Sequence, residues 1–157
     1  MRYLLIDRIL EFERDRRVVA LKNVTLESDV MEHHLRGFPL FPGALVLESM
    51  AQTAAYLVMR SAHEATGAVV AAALGAVEHA HFRRPALPGD QLRITAELLA
   101  RKPHAAEVRT EAVVGGQSTA RAKLLMVLRQ IEVGVEADLV QFMSETFRAL
   151  ERRGSLL

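Results

Sequence analysis

The sequence predicts an α+β fold: a curved antiparallel sheet wrapped around one central helix, with an additional helix near the C-terminus. Three observations predict it. Residues 43–62 carry apolar side chains on nearly every side of a helix, among them Leu45, Val46, Leu47, Met50, Leu57 and Val58. A helix that is apolar all round is buried all round, so in 157 residues other elements must enclose it. Three later segments, 91–100, 106–114 and 118–128, alternate apolar and polar residues, the period of strands with one covered face. Finally, residues 136–153 place Leu139, Phe142, Met143, Phe147 and Leu150 on one stripe at helical spacing.

Taken in order, Val18 to Leu26 is β-branched at several positions and reads as a strand. Residues 27–42 hold Gly37, Pro39 and Pro42 and read as irregular. Pro42-Gly43 opens the long helix, which has no internal proline or glycine, and Gly67 supplies its stop. Ala68 to Val77 is a run of small apolar residues, suited to a strand buried on both faces; periodicity alone leaves a helix open. Gln91 to Ala100 turns Leu92, Ile94, Ala96 and Leu98 to one side and Arg93, Thr95 and Glu97 to the other. Ala106 to Val114 sets Glu107, Arg109 and Glu111 outward, and Gly115-Gly116 marks a hairpin turn. Ser118 to Leu128 turns Ala120, Ala122, Leu124, Met126 and Leu128 inward and Thr119, Arg121 and Lys123 outward. In the last helix, Glu136 and Asp138 open the first turn and Arg148, Arg152 and Arg153 lie near the end, which matches the helix dipole. The chain thus divides into a core domain, 1–130, and a helical extension of the same domain, 131–157.

Composition narrows the function. Half of the chain is hydrophobic and a quarter is charged, which fits one globular domain with a real core and excludes disorder as the main state. Twenty basic residues against nineteen acidic ones leave a net charge of +1, so no bulk field points to nucleic acid or a membrane surface. The absence of cysteine excludes disulfides, thiolate metal sites and cysteine nucleophiles. With no tryptophan and only two Tyr and six Phe, an aromatic platform for single-stranded nucleic acid is not expected. The apolar run near the N-terminus ends at Asp7-Arg8, unlike an export signal, and no uncharged apolar run reaches the roughly 18 residues of a membrane span. A soluble cytoplasmic protein is expected.

The unusual chemistry lies in His33-His34-Leu35-Arg36-Gly37-Phe38-Pro39-Leu40-Phe41-Pro42-Gly43 and the helix that follows. Glu48 is a carboxylate on a helix that otherwise buries itself. An unpaired buried carboxylate costs roughly several kcal/mol, so such a group is paired or holds its proton. Gln52 lies four residues on, one turn later on the same face. Gly43 stands at the helix start, where backbone N–H groups are unpaired and the dipole is positive, so a carbonyl gaining negative charge could be held there. The bland alternative stays open at this level: a loop histidine is usually solvated, a lone helical glutamate is usually at the surface, and prolines can simply mark a turn.

These residues nevertheless resemble a known family. The stretch His34-x-x-Gly37-x-Pro39-x-x-Pro42-Gly43, with Glu48 fourteen residues after the His and Met50-Ala51-Gln52 following, is similar to the β-hydroxyacyl-[acyl-carrier-protein] dehydratases of hotdog fold, nearest to the FabZ type. Arg2-Tyr3-Leu4-Leu5-Ile6-Asp7-Arg8 with Ala20-Leu21-Lys22-Asn23-Val24-Thr25 is similar to the family's opening, and Phe82-Arg83-Arg84-Pro85-Ala86-Leu87-Pro88-Gly89-Asp90-Gln91-Leu92 to its second signature. The resemblance runs from about residue 2 to residue 128 and implies a hotdog fold. It implies that His34 removes the α-proton of a 3-hydroxyacyl thioester and that Glu48 protonates the leaving hydroxyl. It further implies that the Gly43 N–H polarises the thioester carbonyl, the Leu40 carbonyl orients the histidine ring, and Gln52 holds the Glu48 side chain or a water. The implied substrate rides on the phosphopantetheine of an acyl carrier protein, with no metal or organic cofactor. The implied assembly is a homodimer whose sites take His34 and Glu48 from different subunits, with trimers of dimers in many members.

The chain departs from the family pattern at His33, Leu35-Arg36 and Phe41, in the opening that lacks a Pro-Phe pair after Arg2-Tyr3, and in residues 131–157. These departures fit a dehydratase of a specialised polyketide or polyene pathway as well as one of fatty acid synthesis. Two other readings remain: a hotdog-fold acyl thioesterase, disfavoured by the His34/Glu48 pair and the second signature, and a non-catalytic subunit of a hetero-oligomeric dehydratase, disfavoured because both residues are present. Arg83 and Arg84, together with Arg101 and Lys102, could meet an acidic carrier protein or its phosphate, and equally could be ordinary solvated arginines. His79 and His81 alternate on a strand, but no carboxylate-histidine spacing supports a metal site there.

Overall fold

The long apolar stretch has one physical solution, enclosure, and the chain supplies it. The computed structural model describes residues 4–26, 29–35, 37–131 and 137–152. The elements run β1 (Arg8–Glu13), β2 (Arg17–Asn23), α1 (Asp29–His34), α2 (Gly43–Thr66), β3 (Val70–Phe82), β4 (Gln91–Lys102), β5 (Ala105–Val114), β6 (Gln117–Gln130) and α3 (Ala137–Arg152). The six strands form one sheet in the order β1-β2-β4-β5-β6-β3, every neighbouring pair antiparallel. Helix α2 lies against β2, β3, β4, β5 and β6 and buries Val46, Met50, Leu57 and Val58. It ends at Gly67, whose φ of 70° makes the left-handed cap while its N–H donates to the His63 carbonyl. The helix therefore runs one turn beyond the expected residue 62. No helix of the described residues is long and apolar enough to cross a membrane.

The sheet makes room for this helix by carrying small residues where it is deepest. Register aligns Ala20 with Ile94, Ile94 with Ala112 and Ala112 with Ala120 across four strands, and Ala96, Thr110 and Ala122 form the next row. All of these are buried, and the Thr110 hydroxyl donates to the Ala122 carbonyl at 3.1 Å, so no polar group is left bare. The outer face carries the charges expected there: Arg109 meets Glu97 and Arg121 meets Glu111 directly across neighbouring strands. Gly115 and Gly116 turn the β5–β6 hairpin with φ of 56° and 81°, the left-handed values that such a turn requires.

Several expectations need correction. Residues 70–82 form a strand, but an edge strand paired only with β6, exposed from Ala73 to Phe82, and not buried on both faces. Thr119, read as outward, is 2% exposed because the chain at Arg83 and Arg84 folds over it, both N–H groups reaching its carbonyl. The alternation of His79 with His81 is broken, since His79 has a φ of 51° inside a pairing irregularity between Glu78 and His81. Among the described residues no cluster of metal-ligating side chains occurs. Residues 8–13, to which the sequence assigned nothing, form β1, and the stretch read as irregular contains α1, anchored by Met31 at 3% exposure.

Helix α3 packs beside β1 and meets α2 through Tyr56 and Arg60. Leu150 is buried, and the Phe147 ring meets Tyr56 edge-on at 5.0 Å. The Tyr56 hydroxyl donates to Glu151 at 2.6 Å, and Arg60 pairs with the same carboxylate at 3.0 Å. The side chains of Leu139, Phe142 and Met143 and residues 132–136 and 153–157 lie outside the described set. Burial, reinforced by the bond to Glu151, pushes the Tyr56 hydroxyl far above the ordinary tyrosine range.

Two outcomes follow from this packing. Leu57→Ala, at a side chain with no exposed surface, should cost about 2–5 kcal/mol, read as a lower urea midpoint with unchanged slope. Tyrosine in the unfolded chain ionises near pH ~10 while folded Tyr56 keeps its proton, so stability is full below that pH and declines as pH rises through it. Unfolding midpoints taken between about pH 9 and pH 11 should fall less steeply in Tyr56→Phe than in the native chain.

Candidate active site

Three stretches distant in sequence converge on the first half of α2. Pro42 precedes the helix at φ −55° and ψ 135°, and its carbonyl accepts from Leu45 and Val46 at 2.9 and 3.0 Å. No side chain caps this end. The N–H groups ahead of Leu45 and Val46, those of Gly43 and Ala44, have no helix carbonyl one turn back and lie at the positive end of the dipole. Phe41 just before it bonds backbone to backbone with Ala86 of the second signature at 2.8 Å. The Phe82 ring of that signature covers Gly43 so closely that a Cβ there would lie 3.3 Å from two ring carbons. Leu40, Gly43, Phe82, Arg83 and Arg84 line one cavity of about 290 Å³ with Val46 and Pro85.

The polar residues of α2 fall into two kinds. Ser49 and Thr53 are fully buried and donate to helix carbonyls of Leu45 and Ser49, both at 2.8 Å. Glu48 and Gln52 are partly buried and bond side chain to side chain, Gln52 Nε2 donating to Glu48 Oε1 at 2.9 Å. Gln52 Oε1 in turn accepts from the main-chain N–H of Leu5 at 2.7 Å. The opening stretch is itself held: the Asp7 N–H donates to the Leu21 carbonyl at 2.7 Å, and its carboxylate accepts from the Asn23 N–H at 2.6 Å.

His34 is the last residue of α1 and is exposed. Gly37 follows with a φ of 80°, a left-handed turn that sends the chain toward Pro39 and Leu40. In the same stretch Leu35 at 47% and Phe38 at 53% are exposed, and Leu35 lines a cavity of about 390 Å³ with Leu26, Met31, Gly37 and Pro39. Arg36 and the His33 side chain lie outside the described residues, as do Arg2 and Tyr3.

The structure thus brings Glu48 and Gln52 together, and Leu40 and Gly43 to one cavity. Among the described residues no hydrogen bond or ion pair joins the His34 ring to Glu48. Arg83 and Arg84 line the cavity, both exposed, with the Arg84 guanidinium donating to the Gln117 side-chain oxygen Oε1. Arg101 is engaged elsewhere, paired with Asp15 at 3.0 Å. Two participants escaped the sequence reading. Phe82 lay inside a recognised motif without a role, and the Leu5 amide is a main-chain group that no residue type announces.

A sheet wrapped on a central helix, with an acid–amide pair on that helix and a histidine loop leading into it, defines a hotdog-fold protein. The dehydratase heterocomplex ApeI:P from Xenorhabdus doucetiae shares this fold with a TM-score of 0.68 at 19% identity, over 89% of each chain. A family model, the FabA-like domain, matches residues 1–123. The 3-hydroxyacyl-[acyl-carrier-protein] dehydratase FabZ of Symbiobacterium thermophilum is 45% identical over 126 residues, which are 80% of this chain and 87% of the relative. That of Thermus thermophilus is 42% identical over 127 residues, 81% of this chain and 87% of the relative. The chain belongs to the FabA-like family, in which it is a FabZ-like hotdog dehydratase.

Proposed function

We propose that the chain converts 3-hydroxyacyl-[acyl-carrier-protein] thioesters to trans-2-enoyl thioesters, with His34 as base and Glu48 as acid. The observation that carries this reading is the Glu48–Gln52 pair: the carboxyl of an otherwise self-satisfied helix is held by an amide one turn away. The α-proton of a thioester is weakly acidic, so its removal needs a base working near neutral pH and a donor on the carbonyl. His34 takes the α-proton. The C–H electron pair becomes the C2=C3 double bond, the C3–O bond breaks, and the hydroxyl leaves as water with the proton of Glu48. Transfer of the proton from the imidazolium to the carboxylate restores both groups. The Gly43 N–H at the uncapped helix start meets the carbonyl oxygen as charge builds on it, and the Leu40 carbonyl orients the ring. The residues suffice for this chemistry without a metal or organic cofactor.

Two features support a homodimer with shared sites. His34 is exposed in a stretch where Leu35 and Phe38 are exposed too, and β3 presents a thirteen-residue edge with Leu74, Val77 and Phe82 exposed. A second copy covers both, bringing its His34 to the Glu48 of its neighbour, and dimers assemble further into trimers of dimers. Arg83 and Arg84 of the cavity lining receive the acyl carrier protein and the phosphate of its phosphopantetheine arm. The pathway is fatty acid synthesis or a related polyketide or polyene route, in the cytoplasm.

Mutant mixing tests the site and its sharing together. His34→Ala and Glu48→Gln should each lose ~10²–10⁴-fold in rate, followed by ultraviolet absorbance of the enoyl product. After subunit exchange about half the dimers are hybrids with one intact site, so activity should return to roughly a quarter of native. Exchange proven by mass spectrometry with activity still at the single-mutant level would show that the sites are not shared.

Residues 131–157 are proposed as an extension outside the chemistry, since every named group precedes them. A chain ending at residue 130 should keep most dehydratase activity while its thermal midpoint falls, because Tyr56 loses Phe147 and Glu151. Loss of most activity in a truncated dimer that remains folded contradicts this division.

A further inference from the structure

A glutamine amide has two unlike ends: its oxygen only accepts and its NH2 only donates. Which end faces Glu48 is decided outside the pair. The Leu5 main-chain N–H is a donor that cannot be reversed, and it lies 2.7 Å from Gln52 Oε1, 47 residues away in sequence. It is held in place by its neighbours, since Ile6 is 3% exposed and Asp7 is bonded to β2 through both its N–H and its carboxylate. The oxygen end of Gln52 is therefore fixed toward Leu5 and the NH2 end toward Glu48 Oε1. A neutral carboxyl has one hydroxyl oxygen and one carbonyl oxygen. A proton on Oε1 would point at the amide N–H, so the carbonyl role falls to Oε1 and the hydroxyl role to Oε2.

We infer that the Leu5 main-chain amide is a positioning group for the dehydration: acting through Gln52, it fixes Glu48 Oε2 as the oxygen that carries the transferred proton. The inference rests on Glu48 being the acid. In the step itself the Oε2–H bond breaks, the proton joins the departing hydroxyl as water, and the electron pair stays on the carboxylate until His34 returns a proton. The opening segment, which contributes no reacting side chain, thereby sets the geometry of the acid.

The test replaces the donor N–H by an ester oxygen and leaves every side chain in place. Incorporating the α-hydroxy analogue of leucine at position 5 of the full chain replaces that amide by an ester, with leucine incorporated the same way for comparison. The ester chain should lose roughly tenfold in kcat, with KM within about twofold of native. Gln52→Met should lose at least as much, and adding the ester to Gln52→Met should change kcat no further, because the two act in series. Gln52→Glu keeps an acceptor for Leu5 but presents another acceptor to Glu48 Oε1, so it should fall with Gln52→Met; it tests the Gln52–Glu48 link that the inference requires, whether or not the ester chain folds. An ester that leaves kcat unchanged, one that lowers it equally in both backgrounds, or a Gln52→Glu chain with native kcat overturns the inference. Failure of the underlying site reading looks different: Glu48→Gln would then keep native kcat. The inference alone fails when Glu48→Gln is inactive and the ester is silent.

Discussion

The structure depends on burying one helix inside one sheet. Helix α2 has no internal proline or glycine and little polar surface, so it is stable only when enclosed. Its enclosure needs a sheet that curves and approaches closely, and the inner rows of Ala20, Ala96, Ala112, Ala120 and Ala122 let it do so. Larger residues at those positions would hold the sheet away and leave Met50 and Leu57 without contacts. Every functional group discussed is mounted on this helix, on the loop that enters it, or on the segments laid against its first half.

Enclosure also explains the site's chemistry. Water is largely replaced along α2 by apolar atoms, so each polar side chain on it needs a partner of its own. Ser49 and Thr53 find theirs in the helix backbone, within one turn. A carboxylate cannot do this, because helix carbonyls offer it no donor. Glu48 therefore depends on Gln52, and Gln52 on a main-chain donor from the other end of the domain. The need to satisfy one partly buried acid ties the chain's opening to its central helix.

The edge strand and the histidine loop show the opposite condition. Strand β3 is apolar yet exposed, and Leu35 and Phe38 in the stretch after His34 are apolar yet exposed. Both are surfaces whose burial a single chain does not achieve. The Ala68–Val77 run reads as doubly buried because its small apolar composition suits a central strand, whereas the chain places it at the sheet edge, paired with β6 alone. Gly75 fits the same strand for a local reason: a Cβ there would stand 2.6 Å from a Val127 methyl, at a point where pairing with β6 slips.

The sequence by itself determined the α+β class, the central helix, the three alternating strands and the candidate residues His34, Gly43, Glu48 and Gln52. These are legible because they depend on local period and on residue types whose chemistry is their own, such as a carboxyl on an apolar helix. Strand β1 was not legible, since the consecutive apolar pair Ile9-Leu10 breaks its alternation where the pairing with β2 slips, and Glu11 and Glu13 answer to Arg17 across the hairpin. Helix α1 is too short for any period to show. Thr119 alternates outward in sequence, but a distant segment closes over it. Only the tertiary structure decided that the Phe82 ring covers Gly43 and that the Leu5 amide orients Gln52. Both depend on long-range approach: an aromatic 39 positions on from its glycine contact, and a backbone N–H carried identically by every residue except proline.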